Sequence, residues 1–546
     1  MTSQDLAPST KRWRGYFPLI IQLLILAVAP AALYGNFLNN PIVFDDLTFF
    51  PDPHPEFLQS VFSFSIRWLP YASFEWTRAL FGEGMVWLRL GNLGLHLANV
   101  FLLFLLLRKL FATVLTADDA TGNNSLSHGS LPLDWLAFFG ALIFAIHPVA
   151  VYGVAYLVQR TTLMATMFAL LTWLLFLEGL IRGQQRWLLA SVPCYLLAVL
   201  AKEHAIMVPA VAAAVMFLLR KPERRLFSQV GVTFVLYAMV GAAVVFYLKS
   251  HIPLGVAYEP SGQEKLALLG VDNKFAYPLS FETQSLLFLK YLGLWLFPNP
   301  AWMSVYMLER FATQLWSWPE TAGLVLFVGY GVGAGWLLLQ RKEKGLFGFA
   351  MLFPWLLFFS ELYAIRIQEV FVLYRSYLWM PGVLAALPLL FRKIPVKYGA
   401  GLLVMIVLVL MPASWNRLTV FSDLVRLWED ALQLAQTKEV QNRIGLASIY
   451  YDCGTAKLNR ELYPEAIRDF DEAITIEPQV AVFYTNRALA YLKSGQYDLA
   501  LIDYNIAIHL NPKDANNYRF RAKTFQMLGD STSAQRDYSQ SLTLAQ

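Results

Sequence analysis

Two adjacent carboxylates, Asp45 and Asp46, follow closely on the first long apolar run of the chain. Such a pair repels itself, and beside a bilayer it is costly without a cation or proton to share. Other ionisable groups stand where apolar runs begin or end. His147-Pro148 closes one run, Gln159-Arg160 opens the next, and Lys202-Glu203-His204 separates two more. Glu361, Arg366, Glu369 and Arg375 bracket the approach to a later run, and Arg67 and Glu75 lie in the same early loop as the aspartates. Taken singly, each has a plain structural reading: Lys202 and Glu203 would pair, and Arg375 would anchor to headgroups. Together they describe a definite chemistry. Arginine grips a phosphate with two donors and lysine acts as a point charge. An opposing carboxylate takes a proton from an incoming hydroxyl, and cations stabilise a phosphate as it leaves. The set Asp45 and Asp46 as base, with Arg160, Lys202, Arg375, His147 and Arg67 on a phosphate and Glu203 and Glu369 in support, would move a sugar from a polyprenyl-phosphate carrier to an acceptor hydroxyl. A single displacement of this type inverts the anomeric centre. Asp45 and Asp46 would hold Mg or Mn through their oxygens, or work without a metal.

The elements that must position these groups follow from composition. The 546 residues are 57% hydrophobic and only 15% charged, against about 25% charged in ordinary soluble domains. The deficit falls in residues 16–414; residues 415–546 have soluble composition. Spans of roughly 20 apolar residues are expected at 16–34, 86–107, 133–151, 157–181, 187–201, 205–219, 226–248, 320–339, 346–363, 376–391 and 398–414. The first run lacks a small-residue cleavage site and reads as a retained span. The run 284–298 contains Lys290 and reads as a re-entrant or interfacial helix. Six basic clusters separate the runs: Lys11/Arg12/Arg14, Arg108/Lys109, Arg182/Arg186, Arg220/Lys221/Arg224/Arg225, Arg341/Lys342/Lys344 and Arg392/Lys393/Lys397. Placed all on the cytoplasmic face, they imply about eleven spans, a cytoplasmic N-terminus at 1–15 and an external C-terminus. The charged groups named above then share one external side. That side also carries two long loops, 35–85 and 249–319, while 112–132 reads as a polar flexible linker.

The C-terminal part has a period of 34. Tyr450, Tyr484 and Tyr518 keep it, as do Gly454, Ala488 and Ala522; Ala466, Ala500 and Ala534; and Phe470, Tyr504 and Tyr538. Pro478 and Pro512 close the first two units. This is the tetratricopeptide period, small residues lying where paired helices cross and aromatics filling between them. Three repeats are expected, 447–480, 481–514 and 515–546, behind a helical connector at 415–446. Such arrays bind peptides or proteins on a concave face, or serve as rigid spacers. The fold class expected is therefore all-α, a polytopic helical bundle followed by an α-solenoid.

The order of motifs resembles the GT-C superfamily of membrane glycosyltransferases, and most of all the transmembrane and tetratricopeptide-repeat O-mannosyltransferases (TMTC proteins) and their bacterial relatives. The resemblance is carried by Phe44-Asp45-Asp46, Arg67-Trp68-Leu69-Pro70 and Leu95-His96-Leu97-Ala98-Asn99. It continues through Phe144-Ala145-Ile146-His147-Pro148-Val149, Val158-Gln159-Arg160, Ala201-Lys202-Glu203, Arg375-Ser376-Tyr377-Leu378-Trp379-Met380-Pro381 and Leu427-Trp428. It implies a lipid-linked sugar donor, an external active site, a protein acceptor modified on Ser or Thr, and Asp45 or Asp46 as base. In that family an acidic residue precedes the late arginine; here Tyr374 stands there, with Glu369 five residues earlier.

Partners expected are the lipid-linked donor, an acceptor protein or peptide held by the repeats, and membrane lipids, without nucleic acid. The location expected is a bacterial inner membrane with periplasmic repeats, or an endoplasmic reticulum membrane with lumenal ones. Two other readings stand beside this one. An O-antigen ligase or polymerase would lean on arginine and histidine in a large late loop, where an early Asp-Asp is no hallmark. A non-catalytic membrane-anchored repeat scaffold would leave the charged groups at the span ends without a purpose. Two cysteines, Cys194 and Cys453, offer neither a disulfide framework nor a zinc pattern.

Overall fold

The computed structural model describes residues 9–43, 46, 50, 66–115, 131–251, 262–367, 369–391, 394–436 and 444–545. Asp45, Asp52, His54, Glu56, Arg392, Lys393 and most of the 112–132 linker lie outside the described residues. Among those described, the chain is all-α, with one isolated antiparallel bridge between Met307 and Phe371.

The helices of the apolar part are α1 (Ser9–Gly35), α2 (Trp68–Phe81), α3 (Met85–Leu115), α4 (Leu133–Ala145), α5 (Pro148–Val154), α6 (Arg160–Arg182), α7 (Gln185–Ala201) and α8 (Val208–Leu219). They continue with α9 (Arg224–His251), α10 (Gly262–Leu268), α11 (Asn273–Leu296), α12 (Glu320–Leu339), α13 (Lys342–Phe358), α14 (Leu387–Phe391) and α15 (Val396–Val420). Six helical stretches among the described residues are long and apolar enough to cross a membrane, or seven if the bent pair α4–α5 counts as one. The lipid-like character is on their outer faces: Val325, Val332 and Trp336 of α12 and Leu408 and Val409 of α15 are exposed large hydrophobics.

Local sequence explains where the regular helices break. The 133–151 run is bent by 59° between α4 and α5, where Pro148 takes the first position of the second helix and His147 caps it. The 376–391 run is mostly 3-10 helix, Leu373–Leu378 and Met380–Ala386, before the single turn α14. Pro381 and Pro388 remove backbone donors there. The tight seat of Gly382 adds to this, since a Cβ on it would come within 2.0 Å of the Phe353 ring. The 284–298 run belongs to the 24-residue α11, which packs along the 366–376 segment. Gln284 donates to the Val370 carbonyl, the Tyr291 hydroxyl donates to Val372, and the Trp295 indole donates to the Ser376 hydroxyl.

The connector helix α16 (Leu424–Gln436) is followed by three helix pairs: α17 (Ile444–Asn459) with α18 (Tyr463–Ile476), α19 (Ala481–Lys493) with α20 (Tyr497–Leu510), and α21 (Ala515–Met527) with α22 (Ser531–Ala545). Most of the period-34 residues do what their sizes suggest, while Tyr538, in the last helix, is 53% exposed. Ala466, Ala488, Ala500, Phe470 and Tyr504 are completely buried. A Cβ on Gly454 would stand 2.8 Å from the Phe470 ring, so the smallest residue sits where the paired helices meet most closely.

Candidate functional site

Lys202 ends α7 in extended backbone, and a short 3-10 turn, Glu203–Met207, follows it. The break leaves three consecutive polar side chains at one level of the bundle. Arg67, held by its backbone N–H on the Leu200 carbonyl, forks onto Glu203 with Nη2 at 2.5 Å and Nε at 3.2 Å. His204 places Nε2 2.8 Å from a Glu361 oxygen. Glu361, just beyond α13, also meets Arg375 at 3.1 Å and Arg366 at 3.7 Å. Arg375 reaches on to Glu369 at 2.9 Å, and the Tyr374 hydroxyl donates to the same Glu369 oxygen at 3.2 Å. The acidic partner of Arg375 thus arrives from six residues upstream.

The network so described has four cations, Arg67, Lys202, Arg366 and Arg375, and three carboxylates, Glu203, Glu361 and Glu369. The arginines all face carboxylates. Lys202, only 6% exposed, instead donates to the neutral oxygens of Gln159, at 2.9 Å, and Thr162, at 2.7 Å. Burial first, then the neighbouring Arg67 and Arg375 charges, push the Lys202 ammonium down to about 7, against the pull of Glu203 and Glu361. Burial works the other way on Glu203, but Arg67 and His204 more than offset it and hold that carboxyl well below its usual range.

A cavity of about 470 Å³ opens beside this cluster. Glu203, His204 and Arg366 are its charged lining; Val245, Leu248, Phe281, Phe359 and Leu362 supply much of the apolar remainder. Val245 and Leu248 belong to α9, whose outer face exposes Val235, Met239 and Phe246.

Other candidates are placed differently. Arg160 is 2% exposed and lies against α3 and α2. Its guanidinium donates to Asn92, to the Leu88 carbonyl and to Ser73, and sits 3.7 Å from the Phe74 ring centroid. Gly91 makes this approach possible, because a Cβ there would stand 2.6 Å from the guanidinium. His147 is also buried, stacked on Trp295 with both ring nitrogens engaged: Nδ1 accepts from the Val149 N–H and Nε2 bonds the Trp295 carbonyl. The structure therefore brings together Arg67, Lys202, Glu203, Glu369 and Arg375, and seats Arg160 and His147 among partners of their own.

Asp46 is fully buried. Its carboxylate accepts backbone N–H bonds from Val158 at 2.9 Å, Leu157 at 3.2 Å and Val43 at 3.5 Å. Burial raises its carboxyl to about 7, while these bonds and the charge of Arg89 oppose the rise. Asp46 thus joins the turn whose next residue, Gln159, receives Lys202. Among the described residues no group of three or more His, Cys, Asp and Glu side chains is arranged to hold a metal ion; Asp45 lies outside them. In the sequence His204, Glu361 and Arg366 stand out only by their position at run ends. Nothing local gives a signal for Gln159 as a ligand of Lys202.

Residues 481–514 match the tetratricopeptide repeat family model. Among solved structures, the crystal structure of MamA is similar at 19% identity over 26% of this chain and 77% of that chain, with a TM-score of 0.20, too low to argue a shared fold. A search of curated proteins gives no match. The repeat at 481–514 is of a kind that serves protein–protein interaction.

Proposed function

We propose that this chain is a membrane glycosyltransferase of the GT-C kind, with about eleven spans, moving a sugar from a polyprenyl-phosphate carrier to a hydroxyl of an acceptor protein on the external face. The observation that supports it most is the 470 Å³ cavity with its mostly apolar wall meeting the charged cluster. A lipid chain fits the wall, and a phosphate fits a cluster with one more cation than carboxylates. In this reading Lys202 is the cation for the phosphate, because its own hydrogen bonds go to neutral oxygens. Arg67, Arg375 and Arg366 act from a fixed frame set by Glu203, Glu369 and Glu361. The repeats hold the acceptor.

The proton of the acceptor hydroxyl is assigned to the Asp45–Asp46 pair. The three N–H bonds on Asp46 favour giving that step to Asp45, with Asp46 anchoring it. A general base contributes about 10²–10⁴-fold. Transfer assays on the full chain in nanodiscs, with a panel of polyprenyl-phosphate sugars, should therefore find one active donor, and Asp45→Asn should lower the rate at least about a hundredfold. Asp46→Asn should act by loosening the loop. If no donor in the panel supports transfer, or both variants keep full activity, the assignment falls.

A further inference from the structure

Arg89 lies inside the apolar helix α3 and is 5% exposed. Its guanidinium donates to three backbone carbonyls from two separate segments: Asn40 at 2.9 Å and Pro41 at 2.7 Å, after the first helix, and Ala155 at 2.7 Å, before α6. Asn92, one turn further along the same face of α3, donates to the Leu157 carbonyl at 3.1 Å. Asp46 accepts the N–H groups of Leu157 and Val158 from the other side. The 155–158 backbone is thus held by three side chains, and the next residue is Gln159. Gln159 is 4% exposed and accepts from Lys202 and from the Thr162 hydroxyl with the same Oε1.

We infer that Arg89 is a positioning residue for Lys202, acting through the 155–159 turn that it clamps together with Asp46. The inference rests on the reading of Lys202 as the cation for a lipid-linked phosphate. Arginine suits the task for a geometric reason. Its planar fork serves three carbonyls at once, while a lysine reaches them only as a point donor. Loss of the fork frees the Asn40–Pro41 backbone and the turn together. Gln159 then drops away from Lys202, and the ammonium no longer has a fixed place in the charged cluster. The cost of Arg89 in an apolar helix is offset by three carbonyls, all supplied by the segments that it ties.

The test is a double-mutant cycle on the full chain in nanodiscs, titrated with undecaprenyl phosphate and, as a control for the chain alone, undecaprenol. Arg89→Lys and Lys202→Met should each weaken binding of the phosphate about tenfold, and the double variant should bind no worse than Lys202→Met alone, since both act through one group. Undecaprenol binding should not change. Arg89→Met, in case the lysine variant keeps too much of the clamp, should follow the same pattern. Losses that multiply to about a hundredfold, or an Arg89→Met variant that binds as well as the native chain, would overturn the inference. Hydrogen exchange of the 155–162 peptide without ligand keeps this separate from the proposed function. If the native chain ignores undecaprenyl phosphate, the function falls. The clamp is then judged on exchange alone: Arg89→Lys and Lys202→Met should each speed it, and the double variant should be no faster than the quicker single one. Additive acceleration counts against it.

Discussion

At the scale of single residues, the chemistry turns on one ammonium. Lys202 titrates near 7 in a cluster where every arginine is matched by a carboxylate. Its cationic form predominates below that pH and is lost above it. A bound phosphate favours the charged form and raises the titration point, so protonation and phosphate binding are linked. Between about pH 7 and the titration point of the complex, the apparent dissociation constant for a polyprenyl phosphate should rise by up to about tenfold per pH unit. Below pH 7 the Lys202 contribution should be flat. Lys202→Met should bind weakly at every pH with no such slope, measured by titration in nanodiscs from pH 6 to 9. A slope that survives the substitution would assign the titration to another group.

At the scale of elements, the repeats are fastened by an ion ladder in their own period. Arg487 forks onto Asp503 of its own repeat at 2.7 and 2.8 Å and reaches Asp471 of the preceding one at 2.6 Å. Thirty-four residues on, Arg521 forks onto Asp537 at 2.6 and 2.8 Å and reaches Asn505 at 2.6 Å. In the first repeat Cys453 takes the arginine position, and Lys457, one turn later, meets Asp469 and Glu429 of the connector helix instead. Each rung therefore joins a helix pair to the element before it. Asp503 is 2% exposed, and removing its charge leaves Arg487 with one partner. Hydrogen bonds to charged groups are worth about 1.5–3 kcal/mol. Asp503→Asn should therefore lower the opening free energy of α19 and α20 by about 2 kcal/mol, read as faster hydrogen exchange in 481–510 of the full chain. Exchange in α3 and α6 should stay the same, because solenoid units lean on their neighbours.

At the scale of the whole molecule, the repeat array is seated on the apolar part through few contacts. Trp428, Ala431 and Ala435 of α16 pack with Ile449 and Cys453 of the first repeat, and Leu308 packs into the same cluster. A Cβ on Gly445 would stand 2.2 Å from Leu308. Arg417, at the end of α15, ties this corner by bonding the Met303 carbonyl at 2.6 Å and Asp430 at 3.1 Å. The cavity, the charged cluster and the acceptor-binding array proposed here require one another on the same face of the membrane. On the proposed topology, with the basic clusters between the runs on the cytoplasmic side, that face is external. A cysteine introduced at the exposed Asn516 should react with a membrane-impermeant thiol reagent in intact cells or inverted-free spheroplasts; labelling only after lysis would reverse the topology and remove the proposed function with it.

The periodicities were legible without coordinates. The 34-residue spacing marked the repeats, of which 481–514 matches the tetratricopeptide repeat model, because each unit repeats the same crossing and so needs the same small and aromatic residues at the same offsets. The apolar runs placed most of the long helices for a similarly local reason. Charges at the run ends marked Lys202, Glu203, Glu369 and Arg375 as unusual, and the early loop marked Arg67, which is a local statement about cost. Which of the marked charges stand together is not local. Arg160 and His147 carry the same signal in the sequence, yet one lies on Phe74 under α2 and α3 and the other is stacked on Trp295. Glu361 and His204 meet from positions 157 residues apart in the chain, and Arg67 and Glu203 from 136 apart. Asp46 likewise owes its setting to backbone N–H groups more than a hundred residues away. A charge within an apolar chain announces its desolvation cost in the sequence; the partner that compensates it is chosen by helix packing, and only the tertiary structure decides that.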